Sequence, residues 1–179
     1  MKKIIIFLIF IGTQLINAQV TNSYTLSIKD WALEVTLPSK PQVNLDIDAN
    51  LGTKTHYASV TTENEGYIVV ASKAIGKEAL LALESLTLGE MYQMFYDKAT
   101  SLQPSKFLSS SHWELAGKTG RKFRYSTDEG KKLATMYTLF IDDTIYAFYY
   151  LSEAKNPNHE ASQNFFKSIS LKKPTKPSR

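Results

Sequence analysis

The stretch LATMYTLFIDDTIYAFYYL, residues 133–151, decides the fold of this chain. Asp142 and Asp143 predict a turn between two strands, 133–141 and 144–151. Alternate residues of a strand point to opposite faces of its sheet, and in both strands each of the two sets is apolar. Both faces therefore need cover, which a two-layer sandwich does not provide. The sequence predicts an α+β fold, in which a central, largely antiparallel sheet of six to seven strands carries helices on both faces.

Further strands flank this pair. Period-two alternation of apolar and polar residues, bounded by turn-forming residues, is typical of strands with one buried face. It predicts strands at 24–28, 31–37, 54–61, 67–74, 107–115 and 119–127, with a short last strand at 169–171. The second half of the chain is thus expected to form a meander.

The helical pattern is confined to two places. Residues 77–102 place apolar side chains at i, i+3, i+4 and i+7, which is typical of a helix with one buried stripe. Thr87 and Glu90 have the spacing of a capping box, so we expect two helices separated near Thr87. A short helix is expected to follow Asn158 and to end near Lys167, with Phe165 and Phe166 as its apolar anchors.

Four stretches resemble the PsbP-like group of small exported domains, which includes DcrB-like bacterial proteins. They are WALEVTLP (31–38), GKTGRKF (117–123), the aromatic strand pair 133–151 and ASQNFFKSISL (161–171). The resemblance implies a three-layer sandwich and a role as a binding or assembly module. It supplies no catalytic residues, and members of one fold serve many functions.

The first nineteen residues, MKKIIIFLIFIGTQLINAQ, have the layout of a secretory signal peptide. Lys2 and Lys3 precede a short apolar run, and Ala18 provides a small residue for cleavage. A membrane anchor is the alternative, although the run is short for a bilayer. We expect a signal peptide at 1–18, one domain at 19–171 without disulfides, and a disordered basic tail at 172–179. The product would be periplasmic or secreted and would not span the membrane.

The net charge argues against nucleic acid as a partner. The formal charge of +4 includes six cations in the predicted signal peptide and tail, so the remaining body carries −2. Nucleic-acid-binding domains usually concentrate positive charge on the folded body.

Catalytic and metal motifs are not recognised in the sequence. His56, His112 and His159 have no ligand spacing, so no metal or cofactor is expected. Ser111 and His112 are neighbours in a predicted strand and therefore point to opposite faces, which excludes a nucleophile–base pair. Asp46 and Asp48 faintly resemble a calcium loop, but Gly52 comes one residue late and Tyr57 replaces the closing glutamate. The alternative is an acidic strand edge or loop with Leu45 and Ile47 packed inward.

One surface feature is a candidate binding site. Basic residues cluster in and near the predicted hairpin that contains strand 119–127: Lys118, Arg121, Lys122, Arg124, Lys131 and Lys132. Such a patch suits an acidic partner, a lipid headgroup or a sugar acid. A solvated sheet face is the other interpretation.

Two functions follow as hypotheses. The first is an exported, non-enzymatic module that binds an envelope protein. The second is a small-ligand carrier with an aromatic cleft between the sheet and the long helix, into which Tyr92, Tyr96, Tyr146 and Tyr150 would present hydroxyl groups.

Overall fold

The computed structural model describes residues 23–49, 52–101 and 103–172. The described strands are β1 (Tyr24–Leu26), β2 (Leu33–Leu37), β3 (Gln42–Asp48), β4 (Thr53–Thr61), β5 (Glu65–Ala74), β6 (Ser105–Leu115), β7 (Lys118–Thr127), β8 (Lys132–Ile141), β9 (Thr144–Glu153) and β10 (Ser170–Leu171). The described helices are α1 (Lys77–Glu84), α2 (Leu88–Ser101) and α3 (His159–Lys167).

Seven of these strands form the main sheet in the order β3-β4-β5-β9-β8-β7-β6, and every neighbouring pair is antiparallel. The strands of the predicted meander, β6 to β9, are neighbours in chain order. The hairpin of β4 and β5 joins them where β5 pairs with β9. The predicted α+β class and the antiparallel sheet are confirmed.

Both faces of the main sheet are buried, as the 133–151 stretch predicts. On one face, here the α3 face, Tyr146 and Phe148 of β9 pack in a cluster with Phe165 of α3. On the other, the α2 face, Met136 of β8 packs with Tyr92 of α2. The prediction of helices on both faces is confirmed.

A small second sheet, which the sequence analysis did not separate, shares the α3 face. Its strand order is β1-β2-β10. Leu33, Val35 and Leu37 are each 1% exposed and belong to the same core cluster as the α3 face of the main sheet. Period-two alternation is the same in either sheet, so it does not reveal which sheet a strand joins.

The predicted capping box lies at the break between α1 and α2. The backbone N–H and the hydroxyl of Thr87 both donate to Glu90 Oε2 over 2.8 Å. The Glu90 N–H donates back to Thr87 Oγ1 over 3.3 Å. These bonds satisfy donors that a helix start leaves without partners.

Residues 42–48 form a strand at the edge of the main sheet, and one expectation about them is wrong. Leu45 and Ile47 do not pack inward, because their exposed fractions are 51% and 57%. Among the described strands, β3 has a neighbour, β4, on one side only, and the helices cover other parts of the sheet.

Some predictions concern residues outside the described ranges. The signal peptide at 1–18 and residues 173–179 of the predicted tail lie there. Lys172 is described, and its backbone N–H donates to the Ala32 carbonyl over 2.9 Å. None of the helices within the described ranges is long and apolar enough to cross a bilayer.

Gly120 of β7 gives a test of the packing. A Cβ at Gly120 would lie 2.3 Å from both the Thr138 carbonyl oxygen and Trp113 Nε1. Trp113 Nε1 donates to that carbonyl over 2.9 Å, so the two atoms hold each other in place. We expect Gly120→Ala to lower the free energy of unfolding by about 1–3 kcal/mol in urea denaturation.

Gly89→Ala is the matched control. A Cβ at Gly89 would meet only Thr87 Oγ1, at 3.9 Å. Alanine in this helix should raise the free energy of unfolding by up to about 1 kcal/mol. Equal stability of the two variants would contradict the packing described at Trp113.

Candidate functional site

A cleft of about 190 Å³ lies on the α3 face, between α3 and strands β7 and β8. Its lining consists of Lys122, Arg124, Thr135, Tyr137, His159, Ser162, Gln163 and Phe166. A smaller cavity of about 30 Å³ adjoins it near the start of α3 and shares four lining residues with it: Arg124, Thr135, His159 and Ser162. The cleft is therefore formed by elements that are distant in the chain.

The alternation of side chains along β7 places two cations, Lys122 and Arg124, in the cleft. Phe123 and Tyr125 of β7 are buried on the α2 face. The residues between and beside them, Lys122 and Arg124, consequently point to the α3 face. In the sheet register they lie opposite Tyr137 and Thr135 of β8, which also line the cleft.

An aromatic stack forms part of the lining. The rings of Tyr137 and Phe166 lie 3.9 Å apart at an angle of 11°. Lys122 Nζ is 5.4 Å from the centre of the Tyr137 ring, within the range of a cation–π contact. The stack joins β8 to α3 and holds one cation at the edge of the cleft.

The opposite wall is one face of α3. His159, Ser162, Gln163 and Phe166 follow one another at i, i+3, i+4 and i+7, so they share a helix face. The helix start is fixed by Asn158, whose side-chain oxygen accepts from the Ala161 N–H over 3.0 Å. Sequence reasoning used only the two phenylalanines of this helix, although this spacing was available as a signal for the polar wall.

Tyr150 ties the start of α3 to the main sheet. Its hydroxyl lies 3.0 Å from both Glu65 Oε1 and the Asn158 carbonyl oxygen. The Tyr67 hydroxyl donates to Glu65 Oε2. Two tyrosines therefore share one carboxylate beneath the helix start, and they position the wall without lining the larger cleft.

The cleft has an unbalanced positive charge. Within the described ranges, its lining contains Lys122 and Arg124 but no carboxylate. Among the described residues, neither cation forms an ion pair, whereas Lys54, Lys73 and Lys131 each have a carboxylate within 4.0 Å. An anion entering the cleft would meet a planar guanidinium fork and an ammonium group on one side.

The structure separates the six basic residues that the sequence groups together. Lys122 and Arg124 line the cleft, and the other four do not. Arg121 points to the α2 face, where its guanidinium donates to Ser110 Oγ over 2.8 Å and lies 3.3 Å from His112 Nε2. Lys132 has the α2-face parity of Met136 in β8.

The remaining two are at turns. Lys118 begins β7 and is exposed, and Lys131 Nζ is 4.0 Å from Glu129 Oε2. Arg121 contacts both Ser110 and His112, which share a face of β6.

The cleft expected beside the long helix is not favoured. The Tyr92 hydroxyl donates to the Thr119 carbonyl over 2.9 Å and accepts from the Phe140 N–H. The Tyr146 hydroxyl accepts from the Ala32 N–H over 2.9 Å. Tyr96 is buried between aromatic rings. These tyrosines are part of the core.

The histidines and acidic residues do not converge on a cation. In the parts of the chain that are described, no three or more His, Asp or Glu side chains are grouped closely enough to hold a metal. Asp46 and Asp48, the two carboxylates of the faint calcium pattern, lie along β3.

A comparison with solved structures finds a similar fold. Cyanobacterial PsbP (CyanoP) from Synechocystis sp. PCC 6803 matches with a TM-score of 0.60 and 12% identity, over 90% of this chain and 99% of that chain. The fold is PsbP-like. At this identity the similarity concerns the fold alone, and the finer resemblance to DcrB-like proteins stays a prediction.

Two other solved structures are more distant. PA94 of Pseudomonas aeruginosa, a protein of unknown function, has a TM-score of 0.47 and 10% identity, over 86% of this chain and 99% of that chain. A structure from Bacteroides thetaiotaomicron VPI-5482 has a TM-score of 0.40 and 12% identity, over 80% and 46%. No protein-family model matches the chain, and no curated protein matches it in sequence.

The two tyrosines on Glu65 give a pH test. Burial, followed by the hydrogen bond to Glu65, raises the pKa of Tyr67; burial, followed by the Glu65 charge, raises the pKa of Tyr150. Since the folded pKa exceeds the unfolded value, this stabilisation is complete below about pH 10 and is lost as the pH rises above it.

We therefore expect the free energy of unfolding to fall with rising pH above about 10. The fall should be shallower in the double variant Tyr67→Phe/Tyr150→Phe, which has two fewer such groups. Urea denaturation across an alkaline pH series measures both slopes. Identical slopes would contradict the role given to these hydroxyls.

Proposed function

We propose that this chain is an exported, non-enzymatic accessory module that binds an acidic group of another envelope protein. The observation that carries the proposal is the pair Lys122 and Arg124, which face a cleft whose described lining contains no carboxylate. The basic N-terminal residues and the apolar run after them support export. The PsbP-like fold supports an accessory role, because the sequence resemblance implies a binding module.

The cleft favours a small anionic group on a larger partner. Its volume of about 190 Å³ is below the range of about 300–1,000 Å³ typical of small-molecule pockets. It suffices for a side-chain or terminal carboxylate, which Arg124 can bind through two parallel N–H donors and Lys122 through its point charge. The hydroxyl of Ser162 and the amide of Gln163 add polar partners on the opposite wall.

The experiment compares two double variants with equal loss of charge. Lys122→Gln/Arg124→Gln removes the cleft pair, and Lys118→Gln/Lys132→Gln removes two basic residues outside it. A hexaglutamate peptide, titrated by NMR at low salt, serves as the acidic probe. We expect the cleft variant to bind about tenfold more weakly or worse, because hydrogen bonds to charged groups are worth about 1.5–3 kcal/mol each.

The control variant should bind within about twofold of the unmodified protein, apart from a small loss of long-range attraction. Proteins that the unmodified chain captures from an envelope extract should be lost with the cleft variant and retained with the control variant. An equal loss of affinity in both variants would mean that net charge alone explains binding, and it would contradict a specific site.

A further inference from the structure

The two edges of the main sheet are protected to very different degrees. At one edge, β6 carries Lys106 and has a register shift between Phe107 and Ser109. At the other edge, β3 pairs with β4 in an uninterrupted register and has the sequence QVNLDID, with two aspartates but without lysine or proline. Charged side chains, above all lysine, together with proline and bulges are the usual protection against pairing with another chain.

The β3 edge also exposes apolar area. Val43, Leu45 and Ile47 lie on one face of β3, and their exposed fractions are 49%, 51% and 57%. The outer N–H and C=O groups of an edge strand, together with such a row of side chains, form a template for a further strand. Register and charge then decide which strand can pair with this edge.

We propose that a second copy of this chain pairs antiparallel with β3 across a two-fold axis at Leu45. In this register Leu45 lies opposite its own copy and Val43 opposite Ile47, so the apolar row is continuous across the axis. On the other face, Asp46 lies opposite Asn44 of the copy. Asp48 lies opposite Gln42 of the copy, so carboxylates meet amides directly across the pair and not other carboxylates.

The neighbouring registers are worse for physical reasons. An axis at Asp46 places that carboxylate directly opposite its own copy, and directly opposed like charges are destabilising. An axis at Asn44 pairs only residues 42–46 of β3 with their copies, and it brings Pro41, which has no N–H to donate, opposite Ile47. Of these three registers, only the one centred on Leu45 pairs all seven residues of β3 without opposing like charges. The pairing would join two sheets of seven strands into one across the axis.

The absence of cysteine from the sequence makes this register directly testable. Directly opposite residues of an antiparallel pair have Cα atoms about 4.5–5.5 Å apart, which a disulfide can span. Leu45→Cys, in protein expressed from the full-length chain, should therefore form a covalent dimer under mild oxidation. The unmodified protein should show twice the monomer mass by light scattering at high concentration.

Two further cysteine variants fix the register. Val43→Cys alone and Ile47→Cys alone should not cross-link, because each residue is four positions from facing its own copy, or about 14 Å along the strand. An equimolar mixture of the two should cross-link into heterodimers. A monomeric mass with no cross-linking, or cross-linking of equal extent at all three positions, would overturn the proposal.

A charge variant tests the other face of β3. Asn44→Asp would create two directly opposed carboxylate pairs with Asp46 across the axis, and we expect the dissociation constant to rise roughly 2- to 30-fold. Asn64→Asp, in the exposed β4–β5 turn, makes the same change in net charge away from the edge and should leave it nearly unchanged. Equal effects of the two variants would contradict the register.

Discussion

Burial of both faces of the β8–β9 pair is the constraint on which the rest of the structure depends. Phe148 on one face and Met136 on the other are almost fully buried. A sheet with two apolar faces requires two covering layers, so the chain must place elements above and below it. The α1–α2 pair supplies one layer, and α3 with the small sheet supplies the other.

The candidate cleft lies beside α3, at the margin of the layer that α3 and the small sheet form. The small sheet and α3 cover the α3 face of β4, β5, β9 and part of β8, while the α3 face of β7 carries Lys122 and Arg124. Phe166 stacks on Tyr137, whose ring also contacts Trp113 of β6, and beside these rings Lys122 and Arg124 of β7 face the helix. The same alternation that buries Phe123 on the α2 face therefore exposes two cations beside α3. The site lies at the boundary of the core.

The strands and helices were largely predictable because local signals agree with the final structure. The alternation of 133–151, the capping box at Thr87 and the helix start at Asn158 all correspond to observed elements. The expectation that Leu45 and Ile47 pack inward was wrong, since an apolar row on an edge strand has the same pattern as a buried one. The small sheet was missed because alternation does not specify a partner.

The sequence by itself determined which residues share a face of each element: Lys122 with Arg124 on β7, and His159 with Ser162 on α3. Only the tertiary structure decided which of these faces meet. It brought the two pairs together around one cleft, placed Arg121 on the opposite face beside Ser110 and His112, and left β3 at an edge. The physical reason is that periodicity is a property of the local backbone. Contacts between elements depend on burying apolar surface across the whole chain.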